Sequence, residues 1–283
     1  MNCKVIACYF GERKEYPSNQ KEAVSVLRDV VENEKTLSPG VPQLDTIIVN
    51  HDCGMNYGND YLNYIDGEET YSGTIRVLNR PWDNGVGASF GSFNWAFEEL
   101  RDEYDYWFFQ EDDYKIIYDH YYARGIKMLV NDSDLGFIGY DRGSKTDRMY
   151  NLDNIFNYFN EVVLKTIPKE IVNRYYNDIE IAKHKTNSIL QSLDNNDLCH
   201  GGMGLTHRSI LDVIYEEEGS LPYFDKPNPG VDNKKEYELW WWLFVLLGEI
   251  QFSNIYHKYN KKVRLFNQTK DKLIYTYKGK TTR

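Results

Sequence analysis

The sequence predicts an α/β protein built on a mostly parallel central sheet flanked by helices. Strand-like and helix-like patterns alternate through the first half of the chain, which is typical of βαβ units. The chain has 283 residues, of which 41% are hydrophobic and 27% charged, as is usual for a globular protein. We expect a single domain over residues 1–260, followed by a C-terminal extension over residues 261–283.

Short segments rich in β-branched or aromatic residues predict the strands. In chain order they are residues 4–10, 45–52, 73–79, 104–110 and 134–141. Between them, apolar residues repeat with the i, i+3, i+4, i+7 spacing of amphipathic helices. One set follows Pro17 and Ser18 and the other follows PWDNGVGAS; their members are Ala23, Val26, Leu27 and Val30, then Phe93, Ala96, Phe97 and Leu100.

The second half of the chain is less regular. Residues 145–197 are polar and predict helices, which form either an insertion that shapes a substrate site or a surface excursion. In CHGGMGLTHRSIL (199–211), two adjacent glycines let a backbone pass close to a ligand, and we expect Thr206 to cap the next helix. EIQFSNIY (249–256) has a strand-like pattern.

The charge pattern limits the class of partner. A net charge of −10 argues against general binding of nucleic acid. The C-terminal extension, however, holds eight Lys or Arg residues against one acid, Asp271. Such a segment suits peripheral contact with phosphates or an anionic membrane surface, and the alternative is a solvated chain end. The 24 tyrosines favour a sugar or base as ligand, or else reflect compositional bias.

Cysteine usage and hydropathy predict a cytoplasmic location. The four cysteines, Cys3, Cys8, Cys53 and Cys199, show neither metal-ligand spacing nor a disulfide framework. The N-terminus leads directly into a strand pattern, so no signal peptide is expected. The longest apolar run, residues 239–248, is far shorter than the ~20 residues needed to span a bilayer.

The segment FFQEDDYKI (108–116) points most directly to chemistry. Three adjacent carboxylates, those of Glu111, Asp112 and Asp113, end a strand of aromatic residues. Neighbouring carboxylates at a buried strand end repel each other, and their pKa values rise unless a cation lies there. A divalent metal fits, since hard cations prefer oxygen ligands. The alternative is a short acidic run on a solvated surface.

Several strand ends are expected to meet at one crevice, because ligands of parallel sheets bind beyond the carboxyl ends of the strands. Glu12 and Arg13 follow the first predicted strand, Asp52 ends the second, and Arg80 follows the third. Together with the acidic triplet, they predict a polar crevice at this edge of the sheet.

The order of these motifs resembles the nucleotide-sugar-dependent glycosyltransferases of GT-A fold, above all the large family 2. Residues 80–97 resemble that family's N-x-G-x-x-x-A-R-N segment through Asn84 and Gly85, and the acidic triplet matches its DxD motif. The likeness covers about residues 3–260. It departs from the family's Ala-Arg-Asn at Ser89, Phe90 and Gly91.

Two later segments extend the resemblance. HGGMGLTHRSIL resembles the family's acceptor-side GG-x-x-x-x-R segment through Gly201, Gly202 and Arg208. Residues 236–248 resemble its ED-x-x-L-x-x-R-x-x-x-x-G helix, although Tyr237 stands where the second acid is usual. The resemblance implies a Rossmann-like GT-A fold, with a nucleotide-sugar half and an acceptor half over residues 1–140 and 141–260.

The resemblance also implies roles for the donor-side residues, together with Mn²⁺ or Mg²⁺ as cofactor. Asp113 is expected to hold the metal, and Glu111 to bind it through water or to position its neighbours, unless it is a solvent-facing spacer. Asp112 is expected to contact the ribose or the sugar. Asp52 accepts a hydrogen bond from the nucleobase or merely forms a turn. Arg80 approaches the nucleotide or forms a structural salt bridge.

Acceptor-side roles are implied in the same way. The catalytic base is expected to be Glu236, then Asp232, with Asp225 and Glu238 as further candidates. His200, Gly201 and Gly202 are expected at the acceptor, and His257 is a candidate metal or phosphate ligand.

The predicted function is therefore metal-dependent and inverting transfer of a sugar from a nucleoside diphosphate, with UDP favoured, to a hydroxyl acceptor such as a glycan. One alternative is a nucleotidyltransferase, although CYFGERKEYP (8–17) offers only one of the glycines that such enzymes place after the first strand. Another is a non-catalytic nucleotide- or sugar-binding module.

Overall fold

The computed structural model describes residues 1–11, 20–140, 159–175, 203–230 and 232–266, and the backbone of residues 274–276. Nine strands lie in these ranges: β1 (Asn2–Cys8), β2 (Asp45–Asp52), β3 (Ile75–Pro81), β4 (Tyr106–Glu111), β5 (Tyr114–Ile116), β6 (Leu135–Gly139), β7 (Gly204–His207), β8 (Lys262–Leu265) and β9 (Ile274–Thr276).

Seven of these strands form one sheet in the order β3-β2-β1-β4-β7-β6-β8. All neighbouring pairs are parallel except those that involve β7, which runs against both β4 and β6. The prediction of a mostly parallel central sheet is confirmed. β8 joins this sheet although it lies within the predicted extension, and β9 pairs with β5 in a small antiparallel ribbon.

Helices cover both faces of the sheet. The helices whose bounds lie within the described ranges are α1 (Gln20–Thr36), α2 (Asn56–Ile65), α3 (Ala88–Leu100), α4 (Tyr121–Asn131), α5 (Leu164–Thr166), α6 (Arg208–Glu218), α7 (Lys234–Phe244) and α8 (Gln251–Lys258). Residues 169–175 are helical as well. π-Helical turns precede α5 (Phe159–Val163) and join α7 to α8 (Val245–Ile250). None of these helices is both long and apolar enough to cross a lipid bilayer.

The central strands are buried on both faces, which explains why they are continuous apolar runs rather than alternating ones. On one face, Phe93 of α3, Phe109 of β4 and Phe252 of α8 pack with ring centroids 5.1–5.6 Å apart. On the other face, Ile6 and Cys8 of β1 belong to a second core with α1 and α2. The sheet is therefore a rigid support for whatever lies at its edges.

Two local predictions are wrong. Residues 249–256 are helical rather than extended, because Phe252, Ile255 and Tyr256 recur at helical spacing and bury one side of α8. The prediction failed because a short apolar run is compatible with either a strand or a helix. Thr206 does not cap α6: it lies in β7, where its hydroxyl donates to the Gly136 carbonyl. The cap is His207, whose ring nitrogen accepts from the Ser209 backbone N–H.

Candidate active site

The switch point of this sheet, where the strand order changes direction, lies between β1 and β4. β2 and then β3 lie on one side of β1, and β4 lies on its other side. Ligands of open α/β sheets bind at such a switch point, beyond the carboxyl ends of the strands. β1 and β4 run in register there, with Ala7 paired to Glu111. The acidic triplet therefore begins at the switch point.

The three carboxylates of the triplet differ in surroundings. Asp112 and Asp113 are only 4% and 2% exposed. The backbone N–H of Asp112 donates to the Ala7 carbonyl (3.1 Å), which holds the triplet against the end of β1. Glu111 is half-buried and accepts a hydrogen bond of 2.6 Å from the Ser89 hydroxyl. Two adjacent buried carboxylates are costly in an apolar strand end unless a cation or several donors offset the charge.

The donor set fits a hard divalent cation, because all three side chains offer carboxylate oxygens. In the described part of the chain, no three His, Cys, Asp or Glu side chains converge into a ready-made metal cage. This arrangement suits a metal held by one or two carboxylates and completed by substrate phosphates, as Mg²⁺ commonly is.

Asp52 ends β2 at the same edge and is half-buried. Its Oδ1 accepts from the backbone N–H of Gly54 (2.9 Å) and from the side-chain amide of Asn59 (3.3 Å). Gly54 has a φ of +77°, so Asp52 does form a turn, which was the alternative considered for it. Both contacts use Oδ1, and Oδ2 has no hydrogen bond to the described residues. A turn and a ligand contact are therefore compatible.

Arg80 forms a structural salt bridge, the second of the two roles considered for it. Its guanidinium is 6% exposed and donates to Asp83 Oδ2 (2.5 Å) and to the Val86 carbonyl (2.8 Å). The other oxygen of Asp83 lies 2.6 Å from Nε2 of the buried His51. Burial and the nearby Arg80 charge lower the pKa of His51, and Asp83 only partly offsets them. Asp83 thus links His51 near the end of β2 to Arg80 near the end of β3. We call these three residues the hub.

The hub supports a loop over residues 82–88 with an uncommon backbone. Left-handed φ angles occur at Asn84 (61°), Gly85 (79°), Gly87 (66°) and Ala88 (42°). Such angles are strained for Ala88, so the surroundings must hold them. Asp83 Oδ1 accepts from the Val86 N–H (3.0 Å). The loop therefore delivers the start of α3 in one defined position.

An aromatic cluster that was not predicted from the sequence lies beside the hub. The rings of Tyr9 and Trp82 are stacked at 5.5 Å with an interplanar angle of 10°, and His51 lies 4.9 Å from Trp82. Trp82 directly follows β3 and is 43% exposed. A tryptophan three residues after the predicted strand was the available signal. Its flat surface suits a base or a sugar ring.

Glu236, the first candidate for the catalytic base, is engaged in structural contacts. Its backbone N–H donates to Oδ1 of Asn233, the N-cap of α7 (3.3 Å), and its carboxylate accepts from Asn233 Nδ2 (2.9 Å). The same carboxylate accepts from Arg174 (2.8 and 2.9 Å) and from the Tyr175 hydroxyl (3.3 Å). Asp232 is exposed on the turn before α7. The middle of the chain thus reaches the predicted acceptor side through Arg174 and Tyr175.

His257 does not join the acids. It lies in the last turn of α8, and its carbonyl accepts from Asn260 just before β8 begins. The start of β8 pairs with the start of β6, whereas the crevice lies at the far ends of both strands. Five strand residues span about 13 Å. The structure therefore places His257 at the opposite edge of the sheet from Asp113.

Some predicted site residues lie outside the described residues. They are Glu12 and Arg13 on the donor side, and His200, Gly201 and Gly202 on the acceptor side.

Fold and site together describe an α/β protein with three adjacent carboxylates at the switch point of a mostly parallel sheet. No family model matches the sequence, and no curated protein matches it.

Solved structures were compared as well. A mannosyltransferase from Pyrobaculum calidifontis, PcManGT, in complex with GDP-Man and Mn²⁺, is 9% identical with a TM-score of 0.49, over 93% of this chain and 54% of that one. S. aureus TarS is 10% identical with a TM-score of 0.43, over 98% and 36%. TarS 1–349 in complex with UDP is 14% identical with a TM-score of 0.32, over 53% and 40%. The chain thus spans about half or less of each of these proteins.

Proposed function

We propose that the chain is a glycosyltransferase that moves a sugar from a nucleoside diphosphate, with UDP favoured, to the hydroxyl group of an acceptor such as a glycan. The observation that carries this proposal is the burial of Asp112 and Asp113 at the switch point between β1 and β4. A divalent metal that arrives with the diphosphate would add positive charge beside these carboxylates, in the place where parallel sheets bind ligands.

The donor is bound by residues at the strand ends. Asp52 accepts from an N–H of the base through Oδ2, since Oδ1 is occupied by the turn. Trp82 offers its exposed ring beside the base, and Asp112 accepts from the ribose or the sugar. Asp113 holds Mn²⁺ or Mg²⁺, which when bound supplies Lewis-acid stabilisation of the charge that grows on the leaving diphosphate.

The acceptor hydroxyl loses its proton to a carboxylate on the opposite side of the sugar, as inverting transfer requires. A base needs an accessible lone pair. The Glu236 carboxylate is 12% exposed and receives donors from three side chains, whereas Asp232 is exposed nearby on the same turn. These contacts favour Asp232 as the base and a structural role for Glu236 beside Asn233, the N-cap of α7.

We also propose a cytoplasmic location. Support comes from Cys3, Cys8 and Cys53, which form no disulfide in the described part of the chain, since thiols remain reduced in the cytosol.

The test is ligand binding followed by product analysis. The melting temperature is measured with UDP, GDP and ADP, each with Mn²⁺ or with EDTA, because a ligand stabilises the native state by mass action. We expect a rise with a nucleoside diphosphate and Mn²⁺ that EDTA abolishes. Incubation with the matching nucleotide-sugar should then release nucleoside diphosphate, whereas a nucleotidyltransferase would leave the nucleotide-sugar intact and would release pyrophosphate from a nucleoside triphosphate. No metal-dependent shift with any nucleotide would refute the proposal.

A further inference from the structure

We infer that Ser89 is a positioning residue for the metal site, and that it acts by fixing the carboxylate of Glu111. This inference rests on the proposed function. Ser89 stands where the resembling glycosyltransferases usually have alanine, so its hydroxyl is a feature of this chain. It would make Glu111 a defined part of the site rather than a solvent-facing spacer.

The contact is short and joins two separate elements. Ser89 lies in the first turn of α3, and its Oγ donates to Glu111 Oε1 at 2.6 Å. Glu111 is the last residue of β4 and directly precedes the buried Asp112 and Asp113. A hydroxyl that donates into a group of three negative charges lowers their mutual repulsion and selects one rotamer of a flexible side chain.

The position of Ser89 is itself fixed from both sides. On its N-terminal side, the loop of residues 82–88 is held by Arg80, which donates to the carbonyls of Val86 (2.8 Å) and Ala88 (3.5 Å). On its C-terminal side, Phe90 is 1% exposed and packs against Phe244 and Phe252. The hydroxyl therefore reaches Glu111 from a rigid support, as orienting groups behind metal ligands usually do.

The experiment compares Ser89→Ala with Ser89→Thr, which keeps the hydroxyl, and with Ser92→Ala as the matched control. Ser92 lies one turn further along α3, is 1% exposed and donates to the Ala88 carbonyl (3.2 Å). For each full-length variant, the Mn²⁺ concentration that gives half-maximal UDP binding is measured by calorimetry. We expect Ser89→Ala to raise it about 10–100-fold, the usual cost of losing an orienting partner of a metal site. Ser89→Thr and Ser92→Ala should match the unmodified protein.

A second arm tests whether the effect passes through Glu111. Ser89→Ala is added to Glu111→Gln, and we expect no further loss of Mn²⁺ dependence in that background, since interacting residues are not additive. A further loss of similar size would overturn the inference, as would equal behaviour of Ser89→Ala and Ser92→Ala in a protein that binds UDP with Mn²⁺. If the unmodified protein shows no Mn²⁺-dependent binding of any nucleotide, the proposed function fails and this inference fails with it.

Discussion

Asp113 is the residue on which the proposed chemistry depends most. It lies two residues past the end of β4 and is 2% exposed, and a buried carboxylate is stable only beside groups that compensate its charge. This demand distinguishes it from the many acids on the surface of a protein with a net charge of −10.

Asp113→Asn keeps the shape of the side chain but removes the charge that a metal requires. We expect Mn²⁺-dependent UDP binding to weaken by more than about 100-fold, beyond the usual cost of losing an orienting partner. Calorimetry with UDP and Mn²⁺ measures this. Asp119→Asn is the control, because Asp119 is exposed and accepts from the Ser38 N–H outside the crevice. Unchanged Mn²⁺ dependence in Asp113→Asn would remove this residue from the metal site.

The two acids at the start of α7 can be separated in the same way. Asp232→Asn should reduce kcat by about 10²–10⁴-fold, the usual contribution of a general base, with UDP binding unchanged. Glu236→Gln should retain most of its activity and lose about 1 kcal/mol of stability, since it weakens the hydrogen bonds that the carboxylate accepts from Arg174 and Asn233. Turnover assays and urea denaturation of both variants decide the matter. Loss of turnover in Glu236→Gln alone would make Glu236 the base.

At the scale of elements, the loop of residues 82–88 connects β3 to α3 and depends on the hub at Asp83. The hub satisfies the buried guanidinium of Arg80 and a loop N–H together. These contacts therefore hold the loop in a backbone conformation that has four left-handed residues.

Asp83→Asn should destabilise the protein by about 1–3 kcal/mol, because it leaves a buried donor poorly matched. The loss should stay below that of a fully buried pair, since Asp83 is 37% exposed. Glu103→Gln is the control. It removes the charge of the exposed partner of Arg76, which lies on β3 as Arg80 does, and it should cost at most about 1 kcal/mol. Urea denaturation compares the two. Equal losses would show that the hub is no more than a surface ion pair.

At the scale of the whole molecule, one buried ion pair fastens α1 to the sheet. Lys4 of β1 is 0% exposed, and its ammonium lies 2.6 Å from Glu34 of α1. The ammonium also lies 5.4 Å from the ring centroid of Phe108 and 5.1 Å from that of Tyr121. Burial lowers the Lys4 pKa, and Glu34 opposes the shift. The pair thus joins one helix layer to the centre of the sheet.

Lys4→Met should cost about 3–5 kcal/mol, because it leaves the Glu34 carboxylate buried without its partner. The double variant Lys4→Met, Glu34→Leu should recover most of that loss, since apolar replacements of a buried pair are often neutral. Chemical denaturation of the three proteins provides the free energies of unfolding. A double variant as unstable as Lys4→Met would show that the apolar pair cannot pack in this core.

Local patterns in the sequence were sufficient to predict much of the fold. The apolar runs that became β1, β2, β4 and β6 are short and buried on both faces, and such runs occur mainly in sheets covered by helices. The amphipathic spacing of α1 and α3 fixed the faces that those helices bury. The position of the acidic triplet directly after β4 was likewise visible, because a strand end and its next residues are neighbours in sequence.

By itself, then, the sequence determined that the chain forms a mostly parallel α/β sheet and that three carboxylates end one of its central strands. Only the tertiary structure decided which contacts those strand ends make. Arg80 donates to Asp83. Ser89 donates to Glu111, which lies 22 residues away in sequence, and Glu236 accepts from Arg174, which lies 62 residues away. Residues 249–256 became helical because they pack their aromatic side chains on the sheet. Periodicity reports which side of an element is buried, whereas the partners across a fold depend on how distant elements pack together.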